Sequence, residues 1–270
     1  MTPLPTVNFC GLRVSRLVIG ANPFVGGSHQ TVQRNEEMLS YYSRERIIET
    51  WFRAEAAGIN TMVTNNESPG ILETIAAYHQ KGGRLQWIAQ VNIREKRDMI
   101  SAIDEVIGLG CKALYLHGSF TDKAYAANDE FALRSWCDYA RKRGIPVGVA
   151  GHDPQAHLWV NDLDLVDFHA VCFFHCESIH EGQGDTFKLG DIPAAVHTIR
   201  TIRKPCIGYK IMGSGRIEAR MAFEYAFENI KPTDIVNVGM YRGDRDDMVE
   251  ENVRLVNEIL AAACEQTEAG

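Results

Sequence analysis

The stretch ALYLHGSFTDKAYAANDEFALRSWCDYARKRGIPVGVAGHDP, residues 113–154, decides the fold. Two short apolar runs, Ala113–His117 and Pro146–Ala150, flank a longer segment of helical period, the pattern of parallel strands joined by a crossover helix. Asn128 is read as the N-cap of a helix through DEFALRSWCDYARKRG, with Gly144 as its stop. After the second run, Asp153-Pro154 pairs an N-cap with proline at the first helical position. Each strand therefore hands over to a polar residue, His117 in one case and His152 in the other.

Working outward in both directions, the same unit recurs eight times. The other predicted strands are Arg16–Gly20, Asn60–Thr64, Leu85–Val91, Val166–Phe174, Cys206–Ile211 and Ile235–Val238, each followed by an amphipathic segment. Arg46–Ala57 sets Ile47, Ile48, Trp51, Phe52 and Ala54 on one stripe, and Gly58 marks its end. Ser68-Pro69 reads as another helix start, and the last helix runs from about Asp246 to Glu265. Eight such units predict an α/β fold, a (β/α)8 barrel forming one domain over residues 1–270. An open doubly wound sheet would call for GxGxxG after the first strand, and the sequence has none there.

Composition narrows the function. The 270 residues are 45% hydrophobic and 23% charged, which suits a large buried core. A net charge of −7 without a basic run argues against nucleic-acid partners. The seven cysteines form no CxxC pair and suit reduced, buried thiols. No signal-like segment or stretch of 18 apolar residues is found, so the expectation is a cytoplasmic protein without a membrane span.

In a barrel of this kind, chemistry sits at the C-terminal ends of the strands. Read in order, those positions offer Asn22 and His29, then Asn65, Asn66 and Glu67, then Asn92, His117, and His152 with Asp153. His175, Glu177, Lys210, Tyr241 and Arg242 complete the ring, which fits a small polyhydroxylated or carbonyl substrate. His117 suits a general acid or base, and His117, His152 and His175 together form a tentative divalent-metal set. Lys210 suits a fixed charge beside an oxyanion or an imine-forming amine. Asp153 reads more strongly as an N-cap than as a substrate ligand. Gly213-Ser214-Gly215-Arg216 is read as opening a helix, where backbone N–H groups attract anions. Glu177–Gly190 is a candidate lid, and Phe24, alone among the Phe and Trp residues, is expected to border the pocket.

Several strings resemble the aldo-keto reductase superfamily: VSRLVIGANPFVGG (14–27), AEAAGINTMVTNNE (54–67), ALYLHG (113–118), GYKIMGSGR (208–216), and the ending from AFEYAFENI (222–230) to MVEENVRL (248–255). The resemblance covers most of the chain in order, and it implies a barrel with NADP(H) as hydride donor. It further implies an Asp and a Tyr after the second strand, a Lys in the third and a His in the fourth. Only His117 carries over. Val63 occupies the aspartate position, Ser68 lies near the tyrosine position, and Gln90 or Val91 stands for the lysine. The loop after the eighth strand, which binds the adenosine 2′-phosphate in that family, holds three aspartates here, with Arg242, Arg245 and Asn252 as the residues that remain to bind a nucleotide.

Three functions are thus open. The first is acid/base chemistry, with or without a metal, on a sugar-like or carbonyl compound: isomerisation, elimination or hydrolysis. The second is NAD(P)H-dependent reduction with a rearranged proton donor, and the third is a catalytically silent barrel that binds a metabolite or a protein.

Overall fold

The computed structural model describes residues 4–93, 98–175 and 187–268. Strands β3 (Leu17–Gly20), β4 (Thr61–Asn65), β5 (Gln86–Val91), β6 (Ala113–Leu116), β7 (Val147–Gly151), β8 (Phe168–Cys172), β9 (Cys206–Tyr209) and β10 (Ile235–Gly239) form a closed, all-parallel barrel. Closure is made by β10, which pairs with β9 on one side and β3 on the other. The eight expected strands are the eight observed.

Alternation along the strands sorts their side chains into two apolar bodies. Val18, Val63, Ile88, Ala113, Tyr115, Ala150, Phe168, Ala170, Ile207 and Ile235 pack inside the barrel. Leu17, Ile19, Met62, Trp87, Leu114, Leu116, Val147 and Val149 face the helices and join the larger outer core. Phe24 belongs to that outer core, not to a pocket: it is 3% exposed and meets Tyr42 and Trp51 edge to face. Cys111, Cys137 and Cys206 are buried, and burial pushes each thiol up to about 12.

The lower end of the barrel is sealed by an element outside the repeat. Strands β1 (Thr6–Phe9) and β2 (Leu12–Ser15) form an antiparallel hairpin around Cys10-Gly11. Both turn residues have positive φ, 52° and 86°, as a two-residue turn of this hand requires. Phe9 and Val14 enter the interior cluster, and Phe9 meets Phe168 edge to face at 5.1 Å between ring centroids.

Helices α1 (Val32–Tyr41) and α2 (Arg44–Ala57) both lie between β3 and β4; α3 (Ile71–Gln80) and α4 (Met99–Gly108) follow β4 and β5. Two more, α5 (Gly118–Ala127) and α6 (Phe131–Lys142), separate β6 from β7, and α7 (Pro154–Asp162), α8 (Ile192–Thr201), α9 (Ala219–Asn229) and α10 (Met248–Glu268) complete the outer layer. Among the described residues, no helix is long and apolar enough to cross a membrane.

Three local expectations are corrected. Asn128 does not start the helix after it; it ends α5 in a left-handed conformation at φ 48°, and Glu130 precedes α6. Ser68-Pro69 lies in the turn before α3, whose N-cap is Gly70. Gly213-Ser214-Gly215-Arg216 opens no helix: its first three residues have φ of 52°, 57° and 84°, and α9 begins only at Ala219, capped by Glu218. A helix N-terminus is therefore not what that loop offers an anion.

Candidate active site

The upper end of the barrel is where β6 and β7, hydrogen-bonded neighbours, each deliver a histidine. His117 follows the last residue of β6 and is the N-cap of α5, its Nδ1 accepting from the Ser119 backbone N–H at 3.2 Å and lying 2.9 Å from the Ser119 hydroxyl. A backbone N–H can only donate, so Nδ1 carries the lone pair and Nε2 the hydrogen in the neutral ring. His152 follows β7, and its Nδ1 lies 2.9 Å from Asp122 Oδ2. Burial works to raise the Asp122 carboxyl, but bonds from the His152 ring and from the His152 and Asp153 backbone N–H groups outweigh it and hold the group below the usual carboxylate value. An ionised carboxylate only accepts, so Nδ1 of His152 carries the hydrogen and Nε2 the lone pair. The two rings, 6.3 Å apart between centroids, thus hold opposite tautomers.

Asp122 was not legible as a site residue. It stands in α5, a helix that the placing of an N-cap at Asn128 leaves out of account. The same helix brings Gly118 against the second ring: a Cβ at that position would lie 2.9 Å from His152 Cε1 and 3.0 Å from Nδ1. Gly118 opens α5 with an ordinary negative φ, and the added methyl would also lie 3.3 Å from Gly151 Cα, a tight but not forbidden approach, so Gly118→Ala is expected to keep the fold while displacing the imidazole. Misplacement of a reacting group by about 1 Å costs on the order of 100-fold in a positioned reaction, so the smaller shift forced here is expected to lower turnover by up to about that factor. Turnover of the variant, set beside its urea unfolding midpoint, checks this, and unchanged turnover would contradict the placement of His152.

Behind His152, the Gly151 carbonyl lies 3.2 Å from the Tyr209 hydroxyl, which donates to it, and 3.3 Å from His157 Nε2. His157, on α7, in turn lies 3.1 Å from His169 on β8, Nδ1 to Nδ1, and both side chains are fully buried. One proton arrangement satisfies this chain: His157 Nε2–H donates to Gly151, and His169 Nδ1–H donates to His157. Burial lowers His157 to about 4 and His169 well below its ordinary value, so both rings are neutral.

The remaining expected residues divide. Asn22 Nδ2 lies 3.1 Å from His29 Nε2 at the first barrel loop, and the Asn92 backbone N–H donates to Asn66 while Asn92 Oδ1 caps Ile93. Glu67 is half-buried after β4, in a turn shaped by Asn65 Oδ1. Asp153 spends its carboxylate on the N-cap of α7, accepting from Gln155 N–H at 2.8 Å. Lys210 lies one residue beyond β9, at φ 58°, with its Nζ 5.9 Å from the Phe187 ring centroid. Arg216 stacks on the other cation position of that ring at 4.4 Å and donates to the carbonyls of Gly213 and His29, tying the loops after β9 and β3 together.

The three-histidine metal centre is not assembled. His117 and His152 lie side by side, but His175 is exposed at the end of the neighbouring segment, its backbone N–H bonded to Asp191. Among the described residues no three His, Cys, Asp or Glu side chains group so as to hold a metal ion. The candidate lid, Glu177–Gly190, lies outside the described residues up to position 186.

Nor do the residues fit the nucleotide that the family resemblance implies. Arg242 is 5% exposed and donates to Glu49 at 2.8 Å, Asp246 at 2.6 Å and Thr50 at 3.0 Å. Arg245 pairs with Asp247 and Glu251, and Asn252 is buried at 3% exposure. Val63 is buried in the barrel interior, and Gln90 accepts from the Tyr115 hydroxyl at 3.1 Å.

Inward polar residues that were missed include Tyr115, Tyr209 and Asn237. Each lies two positions beyond an interior apolar residue (Ala113, Ile207 and Ile235), so counting by twos along the strands would have found them.

A closed, eight-stranded parallel barrel with its polar residues gathered at the strand ends defines the class: a (β/α)8-barrel protein. Comparison with solved structures places the same fold in a structure described as "Putative aldo-keto reductase from Pseudomona aeruginosa", at 15% identity, TM-score 0.67, covering 95% of this chain and 94% of that one. A second structure of a putative aldo-keto reductase from the same organism gives 16% identity and TM-score 0.68, with 96% of each chain covered. Orotidine 5′-monophosphate decarboxylase from Methanocaldococcus jannaschii also shares the fold, at 12% identity, TM-score 0.57, covering 90% of this chain and 99% of that one. At such identities the likeness is one of architecture, and it spans unrelated reactions. No known family profile and no curated protein matches the sequence.

Proposed function

We propose that this protein is an enzyme that moves protons on a small carbonyl or polyhydroxy compound bound in the barrel mouth, an isomerase or lyase in type. The observation that carries the reading is the pair of rings 6.3 Å apart at the ends of adjacent strands, whose opposite Nδ1 partners, a backbone N–H for His117 and a carboxylate for His152, give one an Nε2–H and the other an Nε2 lone pair. One can polarise a carbonyl oxygen while the other removes a proton from the neighbouring carbon. His117 is the donor to oxygen and His152 the acceptor; Lys210 supplies positive charge near the enolate, and Asn22, Asn92 and Glu67 bind hydroxyls. Gly213, Gly215 and Arg216 shape the loop beside Phe187.

The test is a panel of 2-hydroxy aldehydes and ketones in deuterium oxide, followed by proton NMR. Loss of the signal from the carbon next to the carbonyl, with His117→Gln and His152→Gln each slowing it by about 100- to 10,000-fold, is the expected result. Copurification of NADP(H) together with carbonyl reduction in the absence of such exchange would replace this reading with the reductase one.

A further inference from the structure

We propose that Asp122 is a positioning residue that sets the tautomer of His152 and thereby assigns that ring's Nε2 as the proton acceptor of the site. The inference rests on the acid/base reading above and deepens it.

The carboxylate divides its work between its two oxygens. Oδ1 accepts from the backbone N–H of His152 at 3.2 Å and lies 3.5 Å from that of Asp153, while Oδ2 accepts from the ring. Both side chains are largely withdrawn from water, at 11% exposure for His152 and 21% for Asp122. Backbone and ring are thus fixed by a single group, which stands in the second turn of α5, the helix that His117 itself caps.

In the step this serves, the C–H bond next to the carbonyl breaks and its proton passes to His152 Nε2. The electron pair stays on the substrate as an enolate whose oxygen accepts from His117 Nε2–H. The imidazolium formed on His152 then faces the anion of Asp122, which stabilises it. The proton on His152 exchanges with solvent and is delivered to the former carbonyl carbon, while His117 gives its Nε2 proton to the enolate oxygen and regains one from the neighbouring hydroxyl, so the isomerisation balances with no oxidant or reductant.

The division of labour makes Asp122→Asn a sharp variant. Two backbone N–H groups demand an acceptor at the Oδ1 position, so the amide oxygen must sit there. The amide NH2 is then forced to the Oδ2 position, where it donates to Nδ1 and drives the hydrogen of His152 onto Nε2. The ring stays in place with its lone pair turned to the wrong side.

The experiment uses the full chain labelled with 15N-histidine, read by long-range 1H–15N correlation near pH 8, with signals assigned from the His117→Gln and His152→Gln spectra. The expected result is Nδ1–H for His152 and Nε2–H for His117 in the parent protein, and reversal of His152 alone in Asp122→Asn. Deuterium exchange of the panel compound that the parent protein turns over should fall on the order of 1,000- to 10,000-fold in that variant. An Nε2–H tautomer for His152 in the parent protein overturns the proposal even if the variant does not fold. A variant that keeps Nδ1–H, or one that reverses the ring without slowing exchange, overturns it too. Because the tautomers are read without substrate, failure of the panel leaves this test intact and bears only on the proposed function.

Discussion

Lowering the pH from 7 to 5 is expected to remove about 2 kcal/mol of folding stability through His157 alone, with a further loss from His169. Both native rings hold their protons more weakly than the unfolded chain does, His157 at about 4 and His169 well below the usual 6.5. Protons therefore bind the unfolded state first as the pH falls. The stability is fully present above the unfolded value near 6.5 and is lost on the way down towards the native value near 4. Most carboxylates titrate below this window, which lets the histidines be read separately. Urea unfolding at pH 7 and pH 5 measures the effect, and the double variant His157→Phe/His169→Leu should show a much flatter dependence. Equal pH slopes in the two proteins would show that the buried pair is not neutral in the native state.

Phe168→Ala is expected to cost about 3–5 kcal/mol, the usual range for truncating a fully buried phenylalanine. The ring is 0% exposed, sits at the lower end of the interior, and meets Phe9 at 5.1 Å and Tyr115 at 6.3 Å between centroids. Its removal therefore takes away packing from the hairpin seal as well as from the barrel interior. Equilibrium urea unfolding gives the number. A loss below about 1 kcal/mol would mean that the hairpin closes over the gap, a collapse that native packing rarely permits.

The barrel was legible because a covered parallel strand tends to be apolar on both faces, and most of the strands carry that signature, while NTMVT at 60–64 is placed by its position between two helical segments. His117 and His152 were legible because strand ends in this fold point to the reactive face. What hid Asp122 is also physical. Of the residues in α5 only Gly118 and Thr121 are buried, so no apolar stripe advertises the helix. With the helix unseen, Asn128 looked like the beginning of the next one when its left-handed backbone ends the former. The hairpin escaped for a similar reason: four-residue strands outside the repeat leave no periodic trace, and of their apolar residues only Phe9 and Val14 are fully buried, with Val7, Cys10 and Leu12 packed partly against the same cluster. Arg242 misled in the opposite direction. An arginine in the loop after the eighth strand invites an anion, but its partners Glu49 and Thr50 stand nearly two hundred positions earlier. Only the assembled barrel brings them together.

The pairing of β10 with β3 has a consequence for how the molecule is made. Leu17 to Gly20 find their neighbours at Val236 to Gly239, so the seam joins the two most distant parts of the sheet. A chain leaving the ribosome from its N-terminus holds seven of the eight strands before the last can arrive. Until then the interior has an open flank, with Val18 and Ile207 bare along the edges where Ile235 belongs. Contacts of such sequence separation form slowly and leave unpaired edges vulnerable to association. Synthesis stalled before residue 235 should therefore yield a chain that seeks chaperones, whereas one released after residue 239 can shut its barrel.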